Sequence, residues 1–381
     1  MRFLIVMLLA LIPTLPAWGA ARLVLVTVDG VRWQEVYRGI DPALATDERF
    51  SQSGKRLLED YGDDDPIVRR QRLMPFFWGT VDARGAHLGN RDQGSQMAVS
   101  NGYYFSYPGY NEILTGAADP TIDSNDKRWN ANVTLLEWLD GQPAFAGRVA
   151  AFGSWDVFPY ILNTPRSRLP VNAGFEPLTS VRNARVTLLN RLQTQIPSPW
   201  ESVRLDAFTH HFALEYLQRH RPRVLYVAYG EPDDFAHDGR YDHYVDAIHR
   251  FDAFLADLWS ALGRTRGYAD NTQLLITTDH GRGDQPTGAW QYHASRAAMA
   301  GNADALNAFP DGVIGSNHVW LAALGPAVRA RHLQRSAREW SQNQVAATAL
   351  RLLGQDPAGY RHAVGHDIGA PIDALWQEPA P

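Results

Sequence analysis

The chain has 381 residues, 45% of them hydrophobic and 20% charged, a globular composition with enough length for one large domain or two ordinary ones. A net charge of -5 shows no basic excess, which argues against a nucleic acid recognised by its sequence and leaves room for a small phosphate-bearing ligand. Cysteine is absent, so disulfides, thiolate nucleophiles, zinc–thiolate sites and lipid attachment through an N-terminal cysteine are excluded.

In chain order, Met1–Ile12 combines one basic residue with an apolar run, and Ala17, Gly19 and Ala20 offer small residues for cleavage near positions 19–21. That pattern reads as a secretory signal over 1–20. The alternative is an uncleaved anchor, but Pro13 and Pro16 interrupt the run, which is short for a membrane span. A single domain over 21–370 and a tail over 371–381 follow. No second segment approaches membrane length, so the expected location is periplasmic or secreted, the lack of disulfides fitting a bacterial periplasm.

Arg22–Val28 is an apolar, β-branched run that breaks into Asp29-Gly30. Residues 41–85 alternate charged and apolar positions and predict one or two helices. From Ser100 a run of aromatics leads to Ser106-Tyr107-Pro108-Gly109 and a short helical pattern ending at Gly116. Such a turn places the Ser106 hydroxyl at a helix N-terminus, where N–H groups favour an anion; as a bare feature it is equally a helix cap. A strand is expected at Val149–Phe152, loops over 163–200, and a helix from Ser202 to Arg219. His210, His211 and His220 lie on or near that helix and read as surface or core residues.

A third apolar run, Val224–Tyr229, breaks into Glu231-Pro232-Asp233-Asp234-Phe235-Ala236-His237. Pro232 suits the first turn of a helix, and Asp233 and His237 then stand four residues apart on one side, a spacing that lets two side chains share a metal ion. Residues 241–263 form an amphipathic helix whose sheet-facing side carries Tyr244, Ile248, Phe251, Phe254, Leu255 and Leu258; His243 and His249 are expected on its exposed face. Leu274–Thr278 is a fourth apolar run, and it ends abruptly in Asp279-His280-Gly281-Arg282-Gly283. Residues 284–312 read as an irregular excursion, then His318 precedes the apolar Val319–Leu324, and a helix is expected from Asn343 to Leu353. The alternation of strand and helix predicts a single three-layer α/β/α domain with a mostly parallel central sheet.

Asp29, Asp233, His237, Asp279, His280 and His318 are three carboxylates and three imidazoles near the ends of separate predicted strands. Oxygen and nitrogen donors without thiolate suit zinc, with manganese or iron as competitors. Six are too many for one tetrahedral zinc and right for two ions of three ligands each, with Ser106 completing one set.

This order of motifs, Asp-Gly after the first strand, a serine at a helix start, Asp-x-x-x-His, Asp-His-Gly and a late histidine before a strand, resembles the alkaline phosphatase superfamily. Glu231–His237 and Ser106-Tyr107-Pro108 look most like its nucleotide pyrophosphatase/phosphodiesterase branch, over residues 22 to about 326. The resemblance implies an alkaline-phosphatase-like domain and a zinc-dependent hydrolase of small phosphate esters, monoester or diester. It further implies that Asp233, His237 and His318 hold one Zn²⁺, and that Asp29, Asp279 and His280 hold the other together with Ser106. Ser106 would attack the ester and form a phosphoseryl intermediate that is then hydrolysed.

Two departures bear on substrate. Where the branch has Asn after the proline of its nucleophile motif, this chain has Gly109. The separate phosphate-binding Asn of the family corresponds to Asn125 with a small gap, with Lys127 as a substitute. Sulfatases share the fold, but their Cys-or-Ser-x-Pro-x-Arg context lacks its arginine here. An exported metal-binding protein without catalysis is the non-enzymatic alternative. Tyr103, Tyr104, Tyr107 and Tyr110 offer stacking surface for a base or sugar, or else belong to the core.

Overall fold

The runs that end in Asp29, Glu231 and Asp279 are the middle of an eight-stranded sheet. The computed structural model describes residues 21–376 apart from Pro286, Arg331, Gln334 and Ala337; the expected signal over 1–20 lies outside the described residues. In chain order the strands are β1 (Arg22–Val28), β2 (Ala86–Leu88), β3 (Val149–Gly153), β4 (Val171–Ala173), β5 (Val224–Tyr229), β6 (Thr272–Thr278), β7 (Leu321–Leu324) and β8 (His332–Leu333). They lie side by side as β4-β3-β5-β1-β6-β7-β2-β8. Only β7 runs against its neighbours β6 and β2.

Alternate side chains of these strands enter two different cores. Val24, Val26 and Val28 join one, and Leu23 and Leu25 join the other. Burial on both faces is what an apolar parallel strand without alternation requires. The helices α1 (Ser106–Thr115), α2 (Asp206–His220), α3 (Glu231–His237), α4 (Tyr241–Arg264) and α5 (Val345–Leu352) are the ones that bear on the site. Tyr244, Ile248, Phe251, Leu255 and Leu258 of α4 pack on the first core, with Phe254 at its margin. Tyr107, Tyr110, Ile113 and Leu114 of α1 pack on the second together with α5. The result is the expected three-layer α/β/α arrangement.

Some expectations are corrected. Residues 41–85 hold four α-helices, the last only Asp82–Arg84, and a short π-helix; Asp41-Pro42 and Asp65-Pro66 each start a new helix with an aspartate cap. Ala184–Gln195 is a helix within the stretch expected to be loops. Asn183 caps it by accepting from the Val186 N–H, a local signal that the Pro, Ser and Arg content around it obscured. His249 is partly buried, its Nδ1 bonded to the Leu73 carbonyl at 2.8 Å. His210 takes the core side of its expected surface-or-core reading, buried and stacked on Phe254 with ring centroids 4.4 Å apart.

The register puts the site together. Val28 of β1 is level with Tyr229 of β5 on one side and with Thr278 of β6 on the other. Three adjacent parallel strands therefore end at the same height, and the residues that follow them share one crevice at the carboxyl edge of the sheet. Helix α1 closes that crevice from the side. A Cβ placed on Gly109 would stand 2.4 Å from the Asp279 carbonyl oxygen, so only glycine lets the helix approach the Asp279 turn this closely. Replacing Gly109 by Ala is expected to destabilise the protein by about 1–3 kcal/mol, the usual cost of overpacking against an unyielding neighbour. Urea unfolding of G109A measures it, and an unchanged midpoint would contradict the close approach.

Candidate active site

Asp29, Asp279 and Asp233 follow β1, β6 and β5, and all three turn toward the ring of His280. Its Nε2 stands 3.2 Å from Asp29 Oδ1, 3.4 Å from Asp279 Oδ2 and 3.8 Å from Asp233 Oδ1. Ser106 Oγ, from the first turn of α1, is 3.3 Å from the same atom. The other ring nitrogen, Nδ1, bonds the Gly281 carbonyl at 2.9 Å, which fixes the ring and leaves Nε2 for the cluster.

Each carboxylate is held from behind. Tyr110 donates its hydroxyl to Asp29 Oδ2 at 2.9 Å, and the Gly30 N–H donates to Asp279 Oδ1 at 3.1 Å. Gln342 donates to the carbonyls of Asp279 and Thr278 at 2.8 and 3.1 Å. The turn that carries Asp233 is fixed by reciprocal bonds. Asp206 accepts from the Gly230 and Glu231 N–H groups, while Glu231 accepts from the Asp206 N–H. Burial, reinforced by Glu231, pushes the Asp206 carboxyl up to about 8.

Ser106 is not the cap of its helix. Phe105 holds that position and no side chain caps α1 from it. The Asn125 side-chain oxygen Oδ1 accepts from the Tyr107 N–H at 2.9 Å, and Pro108 has no N–H, so the serine hydroxyl is released for the cluster. Ahead of it, Glu112 accepts from the N–H groups of Ser100 and Asn101, and Asn101 in turn accepts from those of Tyr103 and Tyr104. Of the four tyrosines, Tyr107 and Tyr110 belong to the core.

The second half of the site differs from expectation. His237 Nε2 lies 3.2 Å from Asp233 Oδ2, as the helical spacing predicts. His318 does not join them: its ring turns to Asp284, with Nδ1 3.4 Å from Oδ2. Its backbone is packed under Gly281, where a Cβ would meet the His318 carbonyl oxygen at 2.3 Å. The third imidazole is His293, from the irregular excursion after β6. Its Nε2 is 3.0 Å from that of His237 and 3.7 Å from Asp233 Oδ1, and its ring stacks on His280 with centroids 3.8 Å apart. Its Nδ1 donates to the Tyr104 carbonyl at 3.0 Å. A lone histidine in a Gly/Ala-rich excursion carries no periodic signal; only its position in a loop following a sheet edge marks it.

Electrostatics follow from this crowding. Burial, then the neighbouring Asp233, raises Asp29; burial and then Asp29 raise Asp279 well above the ordinary carboxylate range. Burial alone would lower His280, but Asp279, Asp29 and Asp233 outweigh it and bring the ring up to about 9. Asp233 goes the other way: burial is outweighed by the Arg282 guanidinium, with His237 and His293 adding to it, and its carboxyl is held well below the ordinary range. Burial and the adjacent His280 lower His293.

Metal ions suit these donors. Asp29 Oδ1 and Asp279 Oδ2 are buried without a hydrogen-bond partner, and a buried carboxylate oxygen in that state calls for a cation. Two groups bring one donor atom from each residue within 4.8 Å of one another: Asp29, Asp279 and His280, and Asp233, His280 and His293. Above them lies a pocket of about 200 Å³ lined by Ser106, Asn125, Trp155, Val203, Asp234 and His293 among others. Lys127 is outside that lining, bound to Asp156 at 2.6 Å.

A three-layer α/β/α domain with hard donors at the carboxyl edge of its central strands has the fold of the alkaline phosphatase superfamily. The chain belongs to the type I phosphodiesterase / nucleotide pyrophosphatase family, whose sequence profile matches residues 99–348. No curated protein sequence matches it. Among solved structures it is similar to the alkaline phosphatase PafA, with a TM-score of 0.57 at 12% identity, covering 94% of this chain and 99% of that one. A putative sulfatase from Bacteroides thetaiotaomicron gives 0.53 at 11%, covering 92% and 76%. The lipoteichoic acid synthase LtaP from Listeria monocytogenes gives 0.51 at 11%, covering 90% and 74%. At these identities the likeness is one of fold.

The imidazole exchange is directly testable. H293A should lose divalent metal retained through desalting, read by elemental analysis, whereas H318A should keep the wild-type content. The reverse result would return the role to His318.

Proposed function

We propose that the protein hydrolyses phosphate diesters at a two-zinc site, with Ser106 as nucleophile. The observation that carries this reading is the convergence of the Ser106 hydroxyl and three carboxylates within hydrogen-bond or ion-pair distance of a single atom, His280 Nε2. Asp29, Asp279, His280 and Ser106 form one ligand set; Asp233, His237 and His293 form the other. Manganese or iron would suit the same donors. When bound, the pair of ions supplies Lewis acidity and counter-charge to the attacking and leaving oxygens of an in-line displacement.

The residues of the chain supply position. Ser106 Oγ attacks phosphorus, the bond to the departing alcohol breaks, and water later cleaves the phosphoseryl ester and restores the serine. Because Tyr107 spends its N–H on Asn125 and Pro108 has none, the first turn of α1 offers few backbone donors to a phosphoryl oxygen. The Asn125 side-chain amide supplies that donor. Its carbonyl oxygen is engaged by Tyr107, and its NH₂ has no hydrogen-bond partner among the described residues while the residue lines the pocket. Lys127, the other residue expected there, pairs with Asp156 and lies outside the pocket lining.

Preference for a diester rests on the pocket wall. Among the described residues no lysine or arginine lines it, and Trp155, Val203 and Asp234 do. A phosphate monoester carries close to two negative charges at neutral pH, and it would meet carboxylates without a cationic side chain to balance the second charge. A diester carries one charge and an organic arm that Trp155 and Val203 accommodate. With zinc present, kcat/KM for bis-p-nitrophenyl phosphate is expected to exceed that for p-nitrophenyl phosphate by about ten-fold or more, the equivalent of about 1.4 kcal/mol in transition-state binding. S106A should abolish turnover and keep the metal. A faster monoester would overturn the preference, faster p-nitrophenyl sulfate would favour the sulfatase alternative, and inactivity on all three would favour a metal-binding role alone.

A further inference from the structure

Arg282 follows Asp279-His280-Gly281 directly, and its side chain is completely buried. A guanidinium cannot be removed from water without full pairing, so its partners show what it is for. Nη1 donates to Asp233 Oδ1. Nε donates to the Trp290 carbonyl at 2.8 Å, and Nη2 to the Gln291 carbonyl at 2.5 Å. Those two carbonyls stand three and two residues before His293. One planar fork thus grips a carboxylate from α3 and the loop that carries His293. Gly30 makes room for this grip: its φ is +60°, and a Cβ there would lie 2.5 Å from Asp233 Oδ1 and 2.8 Å from Arg282 Nη1.

Geometry explains why arginine is needed. The donors of a guanidinium are fixed in one plane and diverge, so anchoring Trp290 and Gln291 dictates where Nη1 meets Asp233. That contact occupies Oδ1 and leaves Oδ2 facing His237, 3.2 Å away. His293 is then aimed by two constraints, the loop held by Arg282 and its own bond to the Tyr104 carbonyl. Lysine could reach Asp233 or a carbonyl, but it could not hold all three at these angles.

We propose that Arg282 is a positioning residue that assembles the second metal subsite, holding Asp233 and His293 in register as one unit. The assignment rests on the two-ion reading above and adds to it the device on which one of the two ions depends. The Asp29, Asp279 and His280 subsite does not depend on the fork and should load without it.

Zinc titration of chelator-stripped protein by calorimetry, with elemental analysis after desalting, tests this on the full-length wild type, R282M and R282K. The wild type should bind two equivalents. R282M should bind one with wild-type affinity and the second about ten- to hundred-fold more weakly, the usual scale for losing a supporting partner of a ligand. R282K should fall between them for the second equivalent only, which keeps the test informative if R282M fails to fold. Combining R282M with H293A should cost the second equivalent no more than H293A alone.

Two tight equivalents in both R282M and R282K would overturn the proposal. So would one equivalent in the wild type and two in R282M, which would make Arg282 a built-in substitute for the second ion. A wild type that binds no divalent ion would sink the two-ion reading itself, and this assignment with it.

Discussion

Three buried carboxylates held together at one edge of a sheet are the constraint on which the rest of this structure depends. The register of β5, β1 and β6 ends the strands level, and each is followed at once by an acidic residue or a turn that carries one. Two like charges about 4 Å apart repel by about 4 kcal/mol at an effective dielectric constant near 20. Hydrophobic packing of the strands has to hold that repulsion in place. Both faces of these strands are buried in separate cores, which is why they read as unbroken apolar runs.

The repulsion is answered by cations placed to match it. His280 stands among all three carboxylates and is driven toward its charged form; Arg282 pairs with Asp233. Two carboxylate oxygens are still left without a hydrogen-bond donor, and both face Nε2 of His280. A proton on that nitrogen and a divalent ion compete for the same place, because ligation requires the neutral ring. Metal binding in such a site would be coupled to proton release.

The sequence made legible those parts of the site that obey local rules. Asp29, Asp233 and Asp279 follow apolar runs, and three of the central strands they end are found where the runs lie. His237 follows Asp233 at helical spacing and meets it. Ser106 stands at a loop-to-helix junction, although whether it capped the helix was decided only by Asn125 arriving from elsewhere in the chain. What depends on loop paths was not legible. His318 reaches the correct edge of the sheet, but its backbone packs under Gly281 and its ring faces Asp284. His293 arrives from a segment with no periodicity, and Arg282 gives no sign in sequence of its burial. The helix at Ala184–Gln195 was hidden by the loop-like composition around it.

The same charge accounting reaches the substrate. Asp234 lines the pocket beside Asp233, and its carboxyl is pushed up to about 9, first by burial and then by Asp233 and Asp29. Loss of water favours its neutral form first, and the neighbouring carboxylates add to that. The guanidinium of the site, Arg282, is turned inward on Asp233 and on two backbone carbonyls. Lys127 is spent on Asp156. A ligand entering this pocket therefore meets the carboxyl groups of Asp29, Asp233 and Asp234 beside neutral donors such as Asn125, and no lysine or arginine among the described lining residues. Under that constraint each additional charge on the substrate costs more than the last. A phosphoryl group with one charge and an organic arm against Trp155 meets the least opposition.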